Sequence, residues 1–64
     1  MSKLKELKKD LDRMGVLDGC NEDLIDDAIA FEGSYRAESA LKTLVHNLDK
    51  EGYHLAANMV REAM

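Results

Sequence analysis

The chain has 64 residues, a formal net charge of −4, no proline and a single cysteine. That length allows one domain, which buries only about 60% of its unfolded surface and leaves little room for a concave catalytic site. The negative balance disfavours nucleic acid, which needs a dense basic patch, and apolar stretches of a few residues fall short of the roughly 20 that a membrane helix requires.

No sustained alternation of apolar and polar residues predicts a strand, so the fold class expected is all-α. Helix 1 is predicted from Lys3 to Met14, with Ser2 as its N-cap. Leu4, Leu7, Leu11 and Met14 recur at spacings of three and four and form a narrow apolar seam. Gly15 suits the position just past the helix end, from which Val16 can fold back onto Leu11 as in a Schellman motif. A loop through Asp18, Gly19 and Cys20 is expected next.

Helix 2 is predicted over 22–32, capped by Asn21 and stopped by Gly33. Glu22 and Asp23 stand in its first turn, where the helix dipole favours negative charge. Leu24, Ile25, Ala28, Ile29 and Phe31 form its expected inner face. Helix 3 is predicted over 35–50, capped by Ser34, with a broad stripe of Ala37, Ala40, Leu41, Leu44, Val45 and Leu48. Glu38 and Lys42 make an i,i+4 pair on its outside. Gly52 breaks the pattern, and helix 4 follows from about Tyr53 to Glu62, with Leu55, Ala56, Met59, Val60 and Ala63 inward. The architecture expected is a compact bundle of three to four short helices. Helices 3 and 4 form an antiparallel hairpin, and helix 2 lies across them.

Charge is unevenly placed. Residues 1–13 carry five bases against three acids, a net +2, while residues 14–33 carry six acids and no base. The two segments are expected to pair, within one chain or between two. The run Glu22, Asp23, Asp26 and Asp27 reads either as a solvated face paired with the dipole or as a docking patch for a basic partner. Asp23, Asp26 and Asp27 can share one face. The leucine seam reads in two ways as well. It closes the bundle of its own chain, or it docks onto a partner or a second copy, since so short a helix needs a packing surface. The small core favours a homo-oligomer.

Catalysis needs a nucleophile beside a base, and only Cys20, His46 and His54 are candidates. Acids around Cys20 argue against an activated thiolate, and its plainer reading is a small contact under the loop. One cysteine and two histidines make no zinc set. Asp10, Asp12, Gly15 and Leu17 fall at positions 1, 3, 6 and 8 of a calcium loop, but Asn21 stands where the bidentate glutamate belongs. No enzyme activity, metal or cofactor is expected. Helix 2, Gly33 and helix 3 have the layout of a helix-turn-helix, yet helix 3 offers only Arg36, Lys42, His46 and Asn47 to a groove.

Met14-Gly15-Val16 after Leu7 and Leu11, then Ala28-Ile29, Gly33, and Ala40-Leu41 with Leu44-Val45, resembles the skeleton of ubiquitin-associated domains. The resemblance covers about residues 4–45. It implies a three-helix module that binds ubiquitin through Met14, Gly15, Leu44 and Val45. Three departures stand beside it: Val16 replaces the usual aromatic residue, the stretch from loop to helix 2 is longer, and a fourth helix follows.

The function expected is a non-enzymatic protein–protein interaction module: a small regulator, an adaptor or a stoichiometric inhibitor of a larger protein. Its contact surfaces are expected on the seam of Leu4, Leu7, Leu11 and Met14 and on the acidic face of Asp23, Asp26 and Asp27. A lone thiol without a secretion signal suits the cytoplasm, and a span from an initiator Met to a helical end suits a stand-alone chain.

Overall fold

The seam on helix 1 requires an apolar surface to lie against, and other helices of the same chain supply it. A computed structural model describes residues 3–64. The predicted cap Ser2 lies outside the described residues. The elements are α1 (Lys3–Met14), α2 (Gly19–Ala30), α3 (Tyr35–Lys50) and α4 (His54–Ala63). The bounds of α1 and α3 agree with those read from the sequence.

The end of α1 is the predicted Schellman motif. Gly15 has φ +74° and donates its N–H to the Asp12 carbonyl at 3.0 Å, and Val16 donates to Leu11 at 3.4 Å. Val16 is thereby turned into the core. The same motif ends α3: Gly52 has φ +89°, its N–H meets Asp49 at 3.1 Å, and Tyr53 meets Leu48 at 2.8 Å. These two left-handed residues reverse the chain within a few positions and set neighbouring helices antiparallel.

Helix α2 departs from its prediction. It begins at Gly19, so Gly19 and Cys20 are helical and not loop. Asp18 is the N-cap, and its carboxylate accepts from the Asn21 N–H at 3.3 Å. The helix ends at Ala30, and a turn through residues 31–34 leads into α3. Ser34 holds the N-cap position of α3 as predicted, but its hydroxyl donates back to the Phe31 carbonyl and makes no capping hydrogen bond.

Each helix packs on two neighbours in cyclic order: α1 on α2, α2 on α3, α3 on α4, and α4 on α1. Among the described residues no Cα–Cα approach within 8 Å joins α2 to α4. Helix α2 thus lies beside α3 and not across the α3–α4 hairpin. The core centres on Leu11, Ile25, Leu44, Leu48 and Val60, all wholly buried. Alanines Ala28, Ala56 and Ala57 are wholly buried too, and let the backbones approach. Two inward assignments are corrected. Leu55 is 68% exposed and Ala57 is inside, while Phe31 is exposed in the turn beneath the Arg36 guanidinium, 4.2 Å from its ring centre.

The accessible surface is 4171 Å² for 7.2 kDa. A compact monomer of that mass exposes about 4,100 Å². One chain therefore reaches ordinary burial by itself.

Candidate protein-binding surface

The predicted contact residues divide by burial. Leu4, Leu7 and Leu11 are 5%, 7% and 0% exposed and belong to the chain's own core. The seam is therefore taken up by the chain's own core, and only the outer edge of Leu7 borders the surface groove between α1 and α4. Only Met14, at its last turn, reaches the surface.

The acidic face is partly answered from within. The Lys8 ammonium of α1 bonds Asp26 at 2.5 Å. Arg36 of α3 reaches Asp27 through Nε at 3.3 Å and Nη2 at 3.4 Å. The bond to Asp26 holds Lys8 above the ordinary lysine range against some loss of hydration, and the fields of Glu22 and Asp12 add to it. The expected pairing of basic helix 1 with acidic helix 2 thus occurs inside one chain. Asp23 is exposed and stands in no ion pair among the described residues.

One buried polar side chain ties the loops together. Asn21 is 1% exposed, and its Nδ2 donates to the Val16 carbonyl at 3.2 Å and to Glu51 Oε1 at 2.9 Å. It links the α1–α2 loop to the end of α3 and does not cap α2. Cys20 beside it is exposed and is no contact beneath a loop. His54 bonds Asp49 at 3.1 Å, and Arg61 also reaches that carboxylate. The His54 bond, and then Arg61, hold Asp49 below the usual aspartate range against some desolvation. Neither histidine is hydrogen-bonded to the thiol. Asp10 and Asp12 lie within α1, so the near-match to a calcium loop is helical there. Among the described residues no three potential ligands cluster as a metal site would need.

A groove between α1 and α4 combines apolar floor and charged rim. Leu7 of α1 with Met59 and Ala63 of α4 form the floor; Glu6, Asp10 and Glu62 stand around it, with Lys3 at one end. Lys3 and Leu4 share a lining with Ala63 and Met64, so α1 begins where α4 ends. Met14 therefore lies at the end of the bundle where α4 begins. Leu55, Met59 and Ala63 recur every fourth residue along one face of α4. Leu55, one turn before Met59 on that face, is 68% exposed, and Met14 at the end of α1 is 39% exposed. Among the described residues Glu6, Asp10 and Glu62 are in no ion pair. Sequence reasoning missed this groove because it sent five of the six apolar residues of α4 inward, Leu55 among them, and left out Ala57. The signal was present: positions 55, 56, 59, 60 and 63 cover a wider arc than one packed face.

No protein-family model matches the chain, and no similar curated protein or solved structure was found. The ubiquitin-associated resemblance loses one of its four implied contacts, since Leu44 is wholly buried. Met14 and Gly15 are exposed and Val45 is half-buried. The longer connection noted as a departure is absent, because α2 begins at Gly19. For the helix-turn-helix layout, Arg36 is bound to Asp27, and Lys42 pairs with Glu38 at 3.8 Å. Among the described residues no helix is long and apolar enough to cross a membrane.

Proposed function

We propose that this protein is a non-enzymatic protein–protein interaction module, a small regulator, adaptor or stoichiometric inhibitor of a larger protein. The α1/α4 groove carries the reading: an apolar floor of Leu7, Met59 and Ala63 with the exposed Leu55 one turn further along the same face of α4, and carboxylates that stand in no ion pair among the described residues. Apolar side chains grouped along one face mark a docking site, whereas scattered ones do not. Asp23 remains available as an acidic contact beyond the groove. The self-association expected from size loses its motive, because α1 completes its own core and the surface matches that of a monomer. The free thiol of Cys20 supports a cytoplasmic setting.

A photocrosslinking residue at position 55 or 59, with the exposed Thr43 of α3 as control, tests the reading in the cells that make the protein. Discrete adducts from 55 and 59 and none from 43 are expected. Equal labelling at all three positions, or none, would overturn it.

A further inference from the structure

We infer that the occupant of the α1/α4 groove is an amphipathic, cationic helix of another protein; this rests on the interaction reading above. The groove is walled by two helices, whose backbone hydrogen bonds are made within each helix, so an extended peptide finds no edge to extend. Leu55, Met59 and Ala63 recur once per turn along one face of α4, over a rise of about 12 Å, and the last two line the floor. A third helix lying along it meets that spacing with apolar residues at i, i+3 or i+4, and i+7. Met59 is unbranched and polarisable, which lets such a floor adapt to the side chains laid on it.

The rim selects charge. Glu6 and Asp10 stand one turn apart on α1, Glu62 faces them from α4, and only Lys3 in the lining opposes these three carboxylates. Like charges one turn apart repel, and lysine or arginine flanking the partner's apolar stripe would relieve that repulsion. The same rim argues against a second copy, since two grooves face to face would set carboxylates against carboxylates. The chain's monomer-like accessible surface of 4171 Å² also leaves no deficit for a second copy to fill.

The test titrates a synthetic helical peptide, leucine on one face and lysine on the other, into the isotope-labelled full chain. Amide shifts are expected at Leu7, Asp10, Met14, Leu55, Met59 and Glu62. Leu55→Asp should weaken binding at least about tenfold, the loss of one buried leucine. Leu55 is 68% exposed, so the variant keeps its core. Glu62→Lys gives a second variant, expected to weaken binding and flatten its salt dependence. A peptide of the same spacing with glutamate for lysine should not bind. Shifts centred on Asp23, equal binding of the acidic peptide, or unchanged affinity in both variants would overturn the inference. So would dimerisation of the protein alone that moves the same resonances. Adducts at 55 and 59 with no response to the cationic peptide would sink the helical occupant and leave the interaction reading standing; loss of both results would remove that reading as well.

Discussion

Asn21 offers the sharpest test of the packing, because two roles for it predict opposite responses. As the observed buried tie, its Nδ2 donates to the Val16 carbonyl at 3.2 Å and to Glu51 at 2.9 Å. Asn21→Ala removes one neutral bond worth about 1 kcal/mol and one charge-assisted bond worth about 1.5–3 kcal/mol, for a loss of about 2–4 kcal/mol. Asn21→Asp removes both donors and sets a carboxylate against Glu51, so it should cost more than the alanine change. An N-cap role would instead give about 1 kcal/mol for alanine and almost nothing for aspartate, itself a good cap. A domain of this size has about 3–10 kcal/mol in all, so the buried-tie loss would be severe. Urea unfolding followed by helical circular dichroism reads it. With a slope of about 1 kcal/mol per molar, the alanine midpoint should fall by about 2–4 M, enough to leave part of the population unfolded without urea. An alanine variant within about 0.5 kcal/mol of the parent, or aspartate tolerated better than alanine, would refute the reasoning.

Gly15→Ala and Gly52→Ala should each cost about 1–2 kcal/mol in the same unfolding assay, since a Cβ at φ +74° or +89° meets backbone strain although no atom lies within 4 Å of it. Gly19→Ala, at the start of α2 and with the same open space, should be neutral or stabilising by about 0.4–1 kcal/mol. Leu44→Ala, at a wholly buried position, should cost about 2–5 kcal/mol, whereas Leu55→Ala should stay within about 0.5 kcal/mol. Asp49 has a depressed carboxyl pKa, so its contribution is present above the unfolded value near 3.8 and is lost as pH falls through the lower folded value. The urea midpoint of the parent should therefore fall more steeply in that acid range than that of Asp49→Asn. Parallel curves would mean that His54 and Arg61 do not hold Asp49 in solution.

Local signals were enough for α1 and α3. A seam at spacings of three and four, closed by a glycine that accepts the left-handed conformation, specifies where α1 runs and stops, because each contact involved joins residues no more than five positions apart. The i,i+4 pair of Glu38 and Lys42 is local in the same way. These features would read alike in any fold.

The rest depended on what each helix met. Asp18 and Asn21 are both good caps three positions apart, and nothing within either turn chooses between them. The choice was made by Glu51, thirty residues on, which with Val16 gives the Asn21 amide a buried site and leaves Asp18 to cap. The leucine seam of α1 needed a partner in any case, and only the closed ring of four helices shows that the partner is its own chain. Leu55 and Ala57 likewise exchanged roles because α4 packs between α3 and α1: the small residue fits where backbones approach, and the wider arc of apolar residues has no neighbour left to cover it. Periodicity identifies which residues can share a face. Which part of that face is covered depends on where the other helices lie, and from that comes the groove that marks this protein's candidate site.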